Sequence, residues 1–255
     1  MTDQIVARPQ PSQASRLLWG LVSTALLAAY IGWNMGWVVA TAAVVGVFVH
    51  EYGHVLAINA LGSGPGRIHI IPFFGGAATM SRPPTSEFKG VLIAMAGPVF
   101  GLLAAAPFLI AAAALREPRW MGGALFIAGI NLLNLLPVPP LDGSKALGPA
   151  LAWIHPWLER GVLISLAALA LDWAFVHRQI VLGAFVALAG ARLIFAPGAL
   201  RPASTRLTLA QWGAAIVLYA FALSLCAAAV VTFMNDGAQF NVQDLRTLVP
   251  SFDRR

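Results

Sequence analysis

Residues 36–61 read GWVVATAAVVGVFVHEYGHVLAINAL, and this stretch decides the fold. It is long enough to cross a hydrocarbon core of about 30 Å as one helix. Almost every residue in it is apolar or small. The exception is His50-Glu51-Tyr52-Gly53-His54, an HExxH run. Two histidines at i and i+4 on a helix stand one turn apart in height and about 40° apart in azimuth, so both imidazoles can reach one metal ion. Glu51 lies between them, placed to act as a base toward water at that metal. Ionisable groups at membrane depth are costly and mark function. The bland alternative is a histidine pair bonded to neighbouring helices with Glu51 protonated, which buries three titratable groups with nothing to compensate them.

The rest of the chain agrees with a membrane setting. It has 255 residues, 59% of them hydrophobic and only 10% charged, with a mean hydropathy of +0.78. Soluble domains average about a quarter charged residues. The net charge of +6 needs no nucleic acid to explain it, because basic residues beside spans set orientation and meet anionic lipid. The single cysteine, Cys226, excludes an internal disulfide and a Cys-rich zinc site, and reads as a small packing residue.

Apolar segments of spanning length fall at about 17–33, 36–61, 90–115, 121–136, 160–177, 179–197 and 209–234. The expected fold class is an all-α polytopic membrane protein of about six to seven transmembrane helices. Its expected parts are a disordered arm over 1–16, a first span over 17–35, a core over 36–143, further helices over 144–234 and a polar tail over 235–255. The distribution of Lys and Arg places the N-terminus in the cytoplasm, and with it the C-terminal ends of the second and fourth spans. Those two ends share one side whichever way the chain is inserted.

At the end of the fourth span the sequence runs Asn131-Leu132-Leu133-Asn134-Leu135-Leu136-Pro137-Val138-Pro139-Pro140-Leu141-Asp142-Gly143. Prolines lack an N–H and disfavour α geometry before them, so the helix should stop near Leu136 with carbonyls left unpaired. Exposed backbone at this depth is tolerated only where protein or water satisfies it. Asp142 alone is as readily a helix cap as a metal ligand. Its place on the same side as HExxH favours the ligand, because two histidines, one carboxylate and an open position make a catalytic zinc set.

These paired motifs resemble the site-2 protease family of intramembrane zinc metalloproteases. His50, Glu51 and His54 match the first motif, and Asn134, Pro137, Pro140, Leu141, Asp142 and Gly143 match the second. Phe74-Gly75-Gly76 and Ala96-Gly97-Pro98 look like the family's glycine signatures. The resemblance covers about 36–143, in a minimal form with no stretch for a PDZ or CBS domain; the last three spans carry no recognisable motif. It implies one Zn²⁺ per chain on His50, His54 and Asp142, with Glu51 as the catalytic base. The substrate it implies is the transmembrane helix of another protein; the Ala-, Arg- and Gly-rich usage points to a bacterial cytoplasmic membrane as the setting. Besides single-span substrates and the lipid bilayer, a homo-oligomer is an open partner.

A helical peptide bond is shielded, so such a substrate must unwind locally and its opened backbone needs partners. Asn134 can donate and accept beside it. The 62–89 loop can supply another. Arg67 to Phe74 is β-prone, Gly75-Gly76 permits a turn, and Ala77 to Met80 can return, forming a membrane-associated β-hairpin between the second and third spans. Its edge can accept an extended substrate, with Phe74, Gly75 and Gly76 at the binding region. Gly97-Pro98 should let the third span pack closely on the active-site spans.

Two other readings compete. Enzymes similar to the prenyl-protein protease group take a later glutamate as third ligand, and Glu87, Glu117 and Glu159 sit in no such motif. A transporter or metal-binding scaffold explains the spans but leaves Glu51 without a task.

Overall fold

The computed structural model describes residues 13–71, 75–178, 180–195 and 205–248. Nine helices and one hairpin are described: α1 (Gln13–Met35), α2 (Trp37–Ala60), β1 (Arg67–Ile71), β2 (Gly75–Thr79), α3 (Glu87–Leu103), α4 (Ala106–Leu115), α5 (Pro118–Asn134), α6 (Asp142–Ile154), α7 (Pro156–Val176), α8 (Ile180–Phe195) and α9 (Leu209–Leu248). Among the described residues four helical stretches are long and apolar enough to cross a membrane, 18–35, 37–60, 87–115 and 209–235, as expected of an integral membrane protein. At 17 and 16 residues, α5 and α8 fall short of a full crossing at 1.5 Å per residue.

Helix boundaries follow backbone chemistry more closely than hydropathy. The expected third span, 90–115, is two helices. Pro107 has no N–H for the carbonyl of Leu103, and α3 ends at that residue. The N-terminus of α3 is capped by Ser86, whose Oγ accepts from the Lys89 N–H at 3.3 Å. Arg116 takes a left-handed conformation (φ 54°) between α4 and α5, and Pro118 opens α5, where its missing N–H is no loss. At the chain ends, α1 begins inside the segment expected as an arm, whose residues 1–12 lie outside the described residues, and α9 runs on through polar sequence to Leu248.

The core is built around α2, which packs against α1, α3, α5 and both strands. Small residues permit the approach. A Cβ on Gly46 would stand 2.9 Å from Ile127 of α5, and one on Gly53 would stand 2.7 Å from the Ala96 carbonyl oxygen of α3. α9 packs on α3, α5 and α6, and Tyr219 and Cys226 are buried there among Val91, Ala94, Met95, Leu135 and Ala146. Cys226 is thus a packing residue.

The hairpin forms where expected, antiparallel, pairing Ile68 with Ala78 and Ile70 with Gly76. One detail differs. Gly75 and Gly76 do not make the turn but lie inside β2, opposite Ile71 and Ile70. Gly76 is required by close approach: a Cβ there would stand 2.7 Å from Cγ of Glu51. Phe74 lies outside the described residues.

Candidate metal centre

The α2 helix carries His50 and His54 to its face against α3, one turn apart as the i, i+4 spacing dictates. Asp142 is the first residue of α6 and comes from the far side of the proline turn. The three meet in the interior: His50 Nε2 lies 3.1 Å and His54 Nε2 3.0 Å from Asp142 Oδ2, and the two Nε2 atoms are 3.2 Å apart. All three residues are buried, as is Glu51. Asp142 therefore directs its carboxylate to the imidazoles and makes no side-chain cap for its own helix.

The far side of each imidazole shows what this triangle suits. His50 Nδ1 is 2.9 Å from Asn131 Oδ1. The Asn131 amide is held in that orientation because its Nδ2 donates to the Ile127 carbonyl at 2.8 Å. His54 Nδ1 is 2.7 Å from the Ile93 carbonyl oxygen. Both partners are acceptors only, so each Nδ1 carries a hydrogen and Nε2 is the nitrogen that faces inward, where a ring acting as a metal ligand offers its lone pair. Two lone pairs and a carboxylate oxygen then converge within 3.2 Å. Three electron-rich atoms at this separation repel one another unless a cation joins them. Ligand atoms about 2.0–2.2 Å from a tetrahedral zinc stand about 3.3–3.6 Å apart, within a few tenths of these edges. The residues fit a metal ion, and fixing imidazoles through their second nitrogen is the usual outer layer of such a site.

Glycines make the room. A Cβ on Gly97 would overlap His54 Nε2 and stand 2.8 Å from His50 Nε2, and one on Gly101 would overlap the Asn131 amide. The Gly97-Pro98 pair thus does more than bring helices together: its bare backbone faces the metal ligands. The other Asp142 oxygen, Oδ1, accepts from Lys145 Nζ at 2.9 Å. Glu51 Oε2 accepts from the Ala78 N–H of β2 at 2.6 Å, so the hairpin is tied to the carboxylate beside the histidines.

The structure therefore brings His50, Glu51, His54 and Asp142 together with the hairpin. Asn134 stands apart, half-buried, its amide donating to the Ile130 carbonyl of its own helix at 3.1 Å. Asn131, read from sequence as a polar residue inside an apolar span, is the asparagine that touches the site. Its fully buried place and its reach to His50 were hidden because they depend on how α5 is rotated against α2. The remaining three histidines lie elsewhere: His69 is exposed on β1, His155 caps α7 by accepting from the Trp157 N–H, and His177 follows the end of α7 with its Nδ1 2.8 Å from the Trp173 carbonyl oxygen.

No family model matches the chain. A curated protein of Synechocystis sp., named "Putative zinc metalloprotease sll0528", is 27% identical over 138 residues, covering 52% of this chain and 36% of that protein. The match thus spans about a third of the relative's length. A solved structure, the site-2 protease from Methanocaldococcus jannaschii, aligns with a TM-score of 0.49 and 20% identity over 75% of this chain and 92% of its own. The curated relative and the joining of both motifs in one buried cluster support the site-2 protease resemblance carried by the sequence.

Proposed function

We propose that this chain is an intramembrane zinc metalloprotease that hydrolyses a peptide bond in or near the transmembrane helix of a single-span membrane protein. The observation that carries the reading is the inward triangle of His50 Nε2, His54 Nε2 and Asp142 Oδ2, with both Nδ1 atoms committed to acceptors. Zinc held there would polarise a carbonyl and bring the pKa of water to about 7. Glu51 takes up a proton from the attacking water and delivers it to the leaving amine. His50 and His54 would present Nε2 to the metal, because their Nδ1–H groups donate to Asn131 and Ile93. The positive-inside bias puts the site on the cytoplasmic side.

The hairpin suits an unwound substrate. The Ala78 N–H points away from β1 to reach Glu51, and the alternation of a strand puts the Gly76 backbone on the same outer edge. A substrate segment added to that edge would lie alongside the catalytic carboxylate. Ala78→Pro removes the outward N–H that donates to Glu51, and is expected to reduce cleavage by at least about tenfold, the loss of a hydrogen bond to a carboxylate, while zinc content is kept.

The test is reconstitution of the full chain with single-span reporters, alongside proteomics of membrane fractions from wild type and Glu51→Gln. A protease should lose cleavage on chelation and in Glu51→Gln, with the metal still bound. Glu51→Gln that cleaves normally sinks the proposal. Metal binding with no accumulating full-length membrane protein in the variant points to a transporter or scaffold instead.

A further inference from the structure

The three prolines after α5 remove three hydrogen-bond donors. Pro137, Pro139 and Pro140 would each have served the carbonyl four residues earlier, at Leu133, Leu135 and Leu136. Two of these carbonyls are satisfied locally. Leu133 accepts from the Leu136 N–H at 3.0 Å, and Leu136 accepts from the Val138 N–H at 2.8 Å. The Leu135 carbonyl is satisfied from outside the turn, by the hydroxyl of Tyr219 in α9, at 2.6 Å. Leu135 is fully buried and Tyr219 nearly so, in an apolar cluster, where an unpaired carbonyl is costly.

That carbonyl also borders the metal ligand. A Cβ on Gly143 would overlap both the oxygen and the carbon of the Leu135 carbonyl, so this group lies directly against the backbone one residue beyond Asp142. A change in the direction of the Leu135 carbonyl displaces the start of α6, and with it the Asp142 carboxylate. The two histidines, on unbroken α2, are unaffected.

We propose that Tyr219 is a positioning residue for the metal centre. The hydroxyl of the last described helix fixes the α5–α6 turn through Leu135 and so holds Asp142 against the imidazoles. This rests on the reading of His50, His54 and Asp142 as metal ligands, and it gives the C-terminal helix a task that no sequence motif announces. Removing the hydroxyl should not undock α9, which is also held by Trp212 Nε1 to the Ala150 carbonyl at 3.0 Å and by the Trp153–Trp212 ring contact at 5.2 Å.

The experiment measures Zn²⁺ affinity by chelator competition, and the visible spectrum of the Co²⁺ form, on the full-length chain in detergent. Tyr219→Phe is expected to weaken Zn²⁺ binding by about 10-fold or more, as loss of outer-layer partners does, and to alter the Co²⁺ bands. Trp212→Phe removes a hydrogen bond from the same helix without touching Leu135, and should stay within about twofold of wild type, far from that outer-layer loss. Thermal unfolding of both variants is followed in parallel. Unchanged affinity and spectrum in Tyr219→Phe overturn the proposal, as does an equal loss in both variants. If wild type itself shows no affinity that depends on Asp142, the ligand assignment has failed, an outcome distinct from a normal site that ignores Tyr219.

Discussion

The two halves of the candidate centre are held in opposite ways. His50 and His54 sit on a regular helix whose backbone satisfies itself, so their spacing follows from 3.6 residues per turn. Asp142 follows a turn in which three prolines have removed the helical donors, and each orphaned carbonyl there must find another partner. Local geometry positions one side. The other depends on contacts that helix periodicity does not supply: Gly143 against the Leu135 carbonyl, Lys145 on the outer oxygen, and Tyr219, remote in sequence, at that carbonyl. A ligand pair on a helix resists distant changes; a ligand after a broken helix registers them.

The largest effect should come from the helical pair. Binding free energies of about 10–16 kcal/mol for zinc sites with four ligands imply about 3–4 kcal/mol per ligand. His54→Ala should therefore weaken zinc affinity by about 10³-fold, and Asp142→Ala by less, about 10²-fold. The contrast lies in what remains. After Asp142→Ala the two Nε2 atoms should still bind a metal weakly, because α2 keeps them together, whereas His54→Ala leaves His50 and Asp142, which no single helix holds together. Equal residual affinities in the two variants would break the comparison.

Gly97→Ala comes next. The added methyl would meet His54 Nε2 and His50 Nε2 on the rigid backbone of α3. With α2 and α3 packed along their lengths, neither imidazole can retreat without losing Asn131 or Ile93 as partner. Zinc affinity should fall by about 10–100-fold, as when outer-layer partners are disturbed. Unfolding temperature should also drop, since overpacking a core costs about 1–3 kcal/mol. A variant that binds zinc like wild type would show that the helices separate freely.

Asn131 separates acceptor chemistry from packing. Asn131→Leu removes the acceptor from His50 Nδ1 and should weaken zinc by about 10–100-fold. Asn131→Asp retains an acceptor oxygen and should lose much less. Chelator competition on both variants is the check, and equal losses would mean that the amide matters only for its volume.

How much was legible follows the same division. The HExxH pair, its helix and the stop before Pro137 came from spacing and backbone chemistry, which act within a few residues, and the partnership of Asp142 with the histidines from two span ends that share one membrane side and from the paired motifs. The hairpin was legible as β-prone segments, but the task of Gly76 was not, because its close approach to Glu51 exists only after β2 docks on α2. That Asn131 is the asparagine at His50 was hidden for a similar reason. Three residues along a helix place the two side chains on roughly one side, and only the packing of α5 decides which one meets His50. Tyr219 is 77 residues beyond Asp142, and no local pattern connects a tyrosine in an apolar helix to a carbonyl that a distant proline has orphaned.

The smallest effect is expected at Lys145, and it sharpens the comparison most. Its ammonium sits 2.9 Å from Asp142 Oδ1, but the side chain is 61% exposed. Exposed ion pairs contribute about 0–1 kcal/mol, which corresponds to at most about fivefold in affinity. Lys145→Met should thus change zinc binding by no more than that, and added salt should weaken wild type toward the variant. The lysine also places a positive charge beside a site meant for a dication, which opposes what it gains by holding the carboxylate. A loss well beyond tenfold in Lys145→Met would mean that the proline turn relies on this surface contact to aim Asp142. A small change leaves that task to buried groups, where water cannot compete for the bond.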